Sequence, residues 1–306
     1  MRIFVTGATG FLGSYVVADL IEQGHDVAVL LRSGANSWRL SGKLDQLSVI
    51  GGTLDDLAGL ANGLRSFGPH AVVHMAWRGV GSSDRNNKDQ ARNIVDAVEL
   101  IDLAADAGAT IFVGAGSQAE YGPYDRAIVE SDPPRPTTLY GIAKLASCLM
   151  AERRCAERKL RFAWLRIFSI YGPKDNDSWL IPSMIRTLRA NGHMALTGCE
   201  QRWGFLHARD AAAAVRLVLA NPGAEGVYNL GSPEAPPLRH TVAQLRDLIG
   251  TGDLGFGEVP YRPDQVMVLA ADVKRLEGLG WRPAVQLEQG LRETVAWSKT
   301  ADAGDR

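Results

Sequence analysis

Residues 3–13 read Ile3-Phe4-Val5-Thr6-Gly7-Ala8-Thr9-Gly10-Phe11-Leu12-Gly13. The apolar run at residues 3–5 has the composition of a strand buried on both faces. Three glycines follow at Gly7, Gly10 and Gly13, and then a helical pattern with Leu12, Val16, Leu20 and Ile21 on one side. Strand, glycine turn and helix place a helix N-terminus at the end of a parallel strand. Free N–H groups and the positive end of the helix dipole make that position suited to a pyrophosphate. Glycine is required where a side chain would block the phosphate or the packing of helix on strand. The spacing G-x-x-G-x-x-G is one residue longer than the common dinucleotide fingerprint. Further βα units follow it, so the stretch predicts an α/β fold: a doubly wound parallel sheet.

Working outward, residues 27–31 form a second apolar strand, and Arg32 follows directly. In this arrangement the end of the second strand meets the adenine ribose. An acidic residue there binds the 2′-hydroxyl of NAD, whereas an arginine suits the 2′-phosphate of NADP. Residues 47–50 read as a third strand, and the backbone of Gly51-Gly52-Thr53-Leu54-Asp55 is placed to wrap the adenine. Residues 71–75 are a fourth strand, ending in Ala76-Trp77-Arg78-Gly79. Its His74 reads as a packed strand histidine. A polar loop at residues 82–89 leads to a helix over residues 90–107, with Ile94, Val98 and Ile101 on its apolar face. Gly108 stops that helix, and residues 110–113 are a fifth strand.

Chemistry starts at the end of the fifth strand, in Gly114-Ala115-Gly116-Ser117-Gln118-Ala119-Glu120-Tyr121-Gly122. After the loop Asp132-Pro133-Pro134-Arg135-Pro136, a helix opens with Tyr140-Gly141-Ile142-Ala143-Lys144 and runs to residue 157. Tyr140 and Lys144 are four apart and share one helix face. An ammonium can then sit near a phenol and near a cofactor ribose. A free phenol has a pKa of about 10, and a neighbouring cation brings it toward the working range. Such a tyrosine passes a proton to or from a carbonyl or alcohol oxygen. Ser117 can hydrogen-bond the same oxygen.

Residues 162–167 form a sixth strand, after which the βα rhythm breaks. Residues 174–201 read as loop plus a helix around 181–190, and residues 205–207 as a short strand. Asp210 is expected to cap an alanine-rich helix ending near residue 220. Residues 227–230 are another buried strand. The remainder mixes short helices and loops, with residues 260–264 as a connector and residues 300–306 frayed. The chain has 306 residues, 46% hydrophobic and 22% charged, with a net charge of −1 and no basic blocks. That balance gives no support to nucleic-acid or membrane-surface binding. No apolar run is long enough to span a membrane, and no leader pattern opens the chain, so a cytoplasmic location is expected. Cys148, Cys155 and Cys199 form no C-x-x-C pair and are expected to be buried free thiols. The pattern offers no metal site.

Gly7 through Gly13, Ser117 before Tyr121-Gly122, Tyr140 with Lys144, Arg166 through Pro173, and Arg262-Pro263-Asp264 together resemble the extended short-chain dehydrogenase/reductases. Within them the chain resembles the branch acting on nucleotide-diphosphate sugars, and Leu279-Gly280-Trp281-Arg282-Pro283 extends the likeness toward its end. The resemblance implies a nucleotide-binding domain of residues 1–172 with 203–232, and a smaller substrate domain of residues 173–202 with 233–306. It implies Ser117, Tyr140 and Lys144 as the catalytic set. Cofactor contacts would come from Gly7, Thr9, Gly10, Phe11, Leu12, Gly13, Arg32, Leu54, Ala76, Tyr140, Lys144 and Phe168. Gln118, Ser169, Arg202, Trp203 and Arg262 would face the sugar nucleotide. Relatives pair the helices that correspond to residues 90–107 and 140–157 across a two-fold axis into a four-helix bundle, which implies a homodimer here through Ile94, Val98, Ile101, Leu145, Cys148 and Leu149.

Variable positions narrow the implied activity. The 4,6-dehydratases carry Asp-Glu after the catalytic hydroxyl, where this chain has Gln118-Ala119, and neither does acid–base work. The 3,5-epimerase/reductases carry a cysteine at the Ala119 place. The 4-epimerases end the second strand with an acid, where this chain has Arg32. The stretches 116–122 and 199–205 resemble the NDP-4-keto-6-deoxyhexose reductases, which implies NADPH in preference to NAD and a 4-keto sugar nucleotide as substrate. A 4-epimerase with tightly held NAD, an NADPH ketoreductase of the dihydroflavonol type, and a non-catalytic dinucleotide sensor are the alternatives.

Overall fold

The computed structural model of the chain describes residues 1–262 and 265–301. The strands are β1 (Arg2–Thr6), β2 (Asp26–Leu31), β3 (Ser48–Gly51), β4 (Ala71–His74), β5 (Ile111–Ser117), β6 (Arg161–Ile167), β7 (Ser169–Tyr171), β8 (His193–Leu196), β9 (Arg202–Trp203), β10 (Phe205–His207), β11 (Gly226–Leu230), β12 (Asp253–Phe256) and β13 (Val268–Leu269). The helices are α1 (Phe11–Glu22), α2 (Leu57–Phe67), α3 (Arg92–Asp106), α4 (Leu139–Arg158), α5 (Leu180–Arg189), α6 (Ala208–Ala220), α7 (Leu238–Ile249), α8 (Lys274–Gly278) and α9 (Leu287–Ala301).

Seven strands form one sheet in the order β11-β6-β5-β4-β1-β2-β3, with every neighbouring pair parallel. The chain therefore leaves β1 in one direction and returns to the other side of it at β4. That reversal opens a crevice at the C-terminal ends of β1 and β4, where open α/β sheets take their ligands. Both faces are covered, which is why the strands are apolar throughout. Ile3 and Val5 pack with Leu12, Val16, Leu20 and Val215 on one side. Phe4 packs with Leu100, Ile101, Phe112 and Cys148 on the other. Truncating a side chain such as Leu20 to alanine in these layers would cost about 2–5 kcal/mol. A third cluster, built from Met184, Ile185, Leu188, Leu245 and Leu291, lies under α5, α7 and α9. Short parallel pairs β7–β10, β8–β12 and β9–β13 accompany it.

Several elements differ from the sequence expectation. β5 runs on to Ser117 rather than ending at residue 113. Gly114 and Gly116 stay in the strand because the Trp164 ring of β6 lies across them, 2.2 Å from where a Cβ would be. The helix α2 was not anticipated. Gly59 and Gly63 lower its propensity by roughly 1 kcal/mol each relative to alanine, and packing on the sheet overrides that. Asp210 does not cap α6. His207 does, its Nδ1 accepting the Arg209 N–H at 3.2 Å, while the buried Asp210 carboxylate accepts the N–H groups of Ala284 and Val285 at 3.0 Å each. Residues 263, 264 and 302–306, part of the expected connector and frayed end, lie outside the described residues, whereas Thr300 continues α9.

The apolar faces of α3 and α4 also need correction. Ile101 and Cys148 point inward and are buried against their own sheet, while Val95, Ile142, Leu149 and Met150 are the exposed apolar positions. The three cysteines are buried and free, and His74 is a packed strand residue that hydrogen-bonds Thr6 Oγ1 at 2.8 Å. Among the described residues no helix is long and apolar enough to cross a membrane, and no group of three His, Cys, Asp or Glu could hold a metal ion.

Candidate functional site

The crevice holds a cavity of about 940 Å³. One end is the turn between β1 and α1. Gly7 has φ +74°, and a Cβ there would lie 2.6 Å from the Ala76 nitrogen. A Cβ on Gly13 would lie 2.1 Å from the Gly7 carbonyl oxygen. Two glycines thus let strand, turn and helix close on one another. Gly10 is the N-cap of α1, and no side chain caps it. The first-turn N–H groups face the cavity beside Thr9, Phe11 and Leu12, and this donor set fits a pyrophosphate.

Farther along the wall, Arg32 stands exposed just after β2, and Leu54 and Ala76, in the segments that follow β3 and β4, line the same cavity. Arg78 bridges Asp55 at 2.8 Å and Asp96 at 2.5 Å, tying the loop after β3 to α3. Arg32 has no such carboxylate among the described residues, so its charge is available to a ligand.

The other end of the cavity is built by β5 and α4. Ser117 ends β5 and starts a short 3-10 turn. Its N–H donates to Glu120 Oε1 at 2.8 Å, and its Oγ accepts from the Ala119 N–H at 3.2 Å. The Glu120 carboxylate is fully buried and also accepts from Trp164 Nε1 at 2.9 Å and Arg166 Nε at 2.7 Å. Opposite, Thr138 caps α4 by accepting the Gly141 N–H at 3.1 Å. This sets Tyr140 and Lys144 on the inward face, one turn apart. Tyr140 is 7% exposed and lines the cavity together with Ser117. Burial raises its pKa above the ordinary phenol value, and the neighbouring Ser117 hydroxyl and the Arg85 guanidinium pull it back.

Lys144 lies one turn on, buried on the same inward face. Its Nζ donates to the Ala115 carbonyl at 2.6 Å and lies 3.6 Å above the Trp77 ring, 6.0 Å from the Tyr140 ring. Burial pushes its pKa down to about 7, and the Glu120 carboxylate pulls it back up. A guanidinium also stands beside the phenol: that of Arg85, whose carbon is 5.7 Å from the Tyr140 ring centroid. Neither Arg85 nor Trp77 carried a signal in the sequence, since both sit in irregular segments after β4.

Every residue expected to touch the cofactor lines this cavity, and so do Gln118, Ser169 and Trp203. Two do not. Arg202 is exposed, and its Nε donates to the Ala235 carbonyl at 3.1 Å. Side chains alternate along a strand, so in β9 it is Trp203 that faces inward. Arg262 is exposed and off the wall, and its carbonyl accepts the N–H of Gln265, which lines the cavity instead. Gln201, Phe205 and Leu238 are further wall residues that sequence reasoning missed.

With that geometry in place, the chain matches the model of the NAD dependent epimerase/dehydratase family over residues 3–231, and it belongs to that family. It is 29% identical over 332 residues to a UDP-glucose 4-epimerase of Corynebacterium glutamicum, covering 100% of this chain and 98% of the relative. It is 28% identical over 314 residues to a dTDP-glucose 4,6-dehydratase of Streptomyces griseus, covering 97% and 93%. Among solved structures it is similar to MoeE5 in complex with UDP-glucuronic acid and NAD, with a TM-score of 0.85, 27% identity, and coverage of 98% and 100%.

Proposed function

We propose that this chain exchanges hydride between a nicotinamide dinucleotide and C4 of a nucleotide-diphosphate sugar, in the net direction of reducing a 4-keto-6-deoxy sugar with NADPH. One observation carries the reading. Ser117, Tyr140 and Lys144 meet on one wall of a cavity whose far end is the uncapped N-terminus of α1. The volume lies at the upper end of what small-ligand sites use, as a dinucleotide beside a sugar nucleotide demands.

When bound, the nicotinamide supplies the hydride. The Tyr140 hydroxyl then gives its proton to the oxygen at C4, and Ser117 donates a hydrogen bond to that oxygen. Lys144 holds a ribose hydroxyl. General acid assistance of this kind is worth about 10²–10⁴-fold. Trp203, Ser169 and Gln118 border the space for the sugar nucleotide. The exposed Arg32, which pairs with no carboxylate among the described residues, supports NADPH over NADH. Dehydration has no acid in the right place: Gln118 is neutral, Ala119 is inert, and the Glu120 carboxylate is consumed by Ser117, Trp164 and Arg166.

A 4-epimerase that retains NAD is the second reading, and the first relative named above favours it. The two separate on the purified protein. An epimerase releases stoichiometric NAD on denaturation and interconverts UDP-glucose and UDP-galactose with nothing added. A reductase does neither and consumes NADPH with dTDP-4-keto-6-deoxyglucose. The division into a nucleotide-binding part and a substrate part, as given by the sequence, belongs to the same reading. So does a homodimer through Val95, Ile142, Leu149 and Met150, which a monomer mass by light scattering would contradict.

A further inference from the structure

A guanidinium beside the phenol belongs to no member of the serine–tyrosine–lysine set. Arg85 follows the short 3-10 turn at the end of the loop after β4 and lines the cavity with Tyr140 and Ser117. Its backbone carbonyl accepts the Tyr140 N–H at 2.8 Å, so the loop is pinned to the first turn of α4. Its Nε is buried and has no hydrogen-bond partner, and no carboxylate among the described residues pairs with it. The carboxylates nearby are otherwise engaged: Asp55 and Asp96 hold Arg78, and Glu120 holds Arg166. What the guanidinium does meet is the Tyr140 ring, at 5.7 Å.

We infer that Arg85 is a positioning residue for Tyr140, holding its backbone through the loop carbonyl and stabilising its phenolate through the ring. This rests on the reading of Tyr140 as the proton-transfer group. A phenolate spreads negative charge into its ring, so a cation near the ring favours the ionised form over the neutral one. Lys144 is the other cation near the ring, 6.0 Å away, but burial and its ties to Ala115 and Trp77 limit what it supplies. Glu120 acts in the opposite sense, and the neighbouring Ser117 hydroxyl favours ionisation. The loop of residues 82–89 thereby becomes part of the proton-transfer machinery, although it contributes no group that touches a reacting atom.

The test needs no substrate. Tyrosinate formation is followed by its ultraviolet difference absorption as pH rises, in the wild-type protein, in Tyr140→Phe and in Arg85→Gln. The Tyr140 contribution is the wild-type curve less the Tyr140→Phe curve, and in the arginine variant it is the Arg85→Gln curve less that of Arg85→Gln/Tyr140→Phe. Arg85→Gln should move that contribution upward by roughly half to one pH unit, discounted for the partial exposure of the guanidinium. Arg85→Lys, which keeps the charge, should restore most of the shift. Circular dichroism of each variant checks that the fold is retained. An unmoved Tyr140 titration in a folded Arg85→Gln protein overturns the inference. So does a shift that Arg85→Lys fails to restore, because the effect would then be packing and not charge. Failure of the hydride-transfer reading would appear separately, as absence of turnover with every sugar nucleotide while the titration still shifted.

Discussion

Replacing Gly13 with alanine inside α1 sets two effects of opposite sign against each other. In an ordinary helix the change stabilises by about 0.5–1 kcal/mol. Here the added carbon would sit 2.1 Å from the Gly7 carbonyl oxygen, whereas ordinary contact begins near 3.4 Å, so the two must part by about 1.3 Å. Both partners are backbone, and no rotamer change relieves the overlap. Gly7 itself is held at φ +74° against the end of β4, so the displacement has to come from α1. Overpacking of this kind costs about 1–3 kcal/mol, with the upper half expected where backbone must move. The net effect should be a loss of about 1–2 kcal/mol, or a few degrees in Tm. The same shift moves the first-turn N–H groups away from the phosphate position, so dinucleotide affinity should fall at least tenfold. Differential scanning fluorimetry gives the first number and a fluorescence titration with NADPH and NAD gives the second. A Gly13→Ala protein that is as stable as wild type, or more so, and binds both dinucleotides unchanged would refute the close-packed turn.

Other outcomes follow from the same geometry. Arg32→Ala should cut the NADPH-over-NADH preference in kcat/KM by roughly tenfold to a hundredfold, since charge-assisted hydrogen bonds to a 2′-phosphate are worth about 1.5–3 kcal/mol; an unchanged ratio removes Arg32 from the ribose site. Lys144→Ala should weaken dinucleotide binding as well as turnover, and its effect should be far from additive with that of Tyr140→Phe, measured by steady-state kinetics on the double variant. Burial raises the Asp175 pKa to about 7, so between its ordinary value and that pH the folded protein holds a proton the unfolded chain has lost, and stability falls as pH rises through the window. Asp175→Asn should therefore gain on wild type by roughly 2–4 kcal/mol at pH 8 and show no gain below about pH 4 in denaturant melts. Lys144 works in the other sense: its depressed pKa leaves the unfolded chain holding the extra proton above about pH 7, so its contribution to stability grows from there to its ordinary value near 10.4, a slope that Lys144→Met should remove.

The two ends of the cavity were legible in sequence for different reasons. The turn at residues 7–13 was readable because close approach admits only glycine, which leaves a mark in the sequence. Tyr140 and Lys144 were readable because helical periodicity puts residues four apart on one face. Parity misled at β9, where Arg202 and Trp203 are adjacent and only the pairing with β13 decides which one points inward. It misled again on α3 and α4, since a helix between its own sheet and a neighbour carries two apolar faces, and Ile101 and Cys148 belong to the inner one. Arg85 and Trp77 had no periodicity to betray them, because irregular segments after a strand are placed by tertiary contacts. The role of Asp210 was hidden similarly, for its partners Ala284 and Val285 lie more than seventy residues on.

The central claim is that Tyr140 serves a hydride transfer to C4 of a nucleotide-diphosphate sugar. Its most direct test is the fate of a label: dTDP-4-keto-6-deoxyglucose is incubated with the protein and NADPH carrying deuterium at the transferable position, and the product is read by proton NMR. The account expects one deuterium at C4 from the wild-type protein, with the rate in Tyr140→Phe lower by about 10²–10⁴-fold and NADPH affinity retained. Deuterium delivered to C4 by Tyr140→Phe at close to the wild-type rate would contradict it.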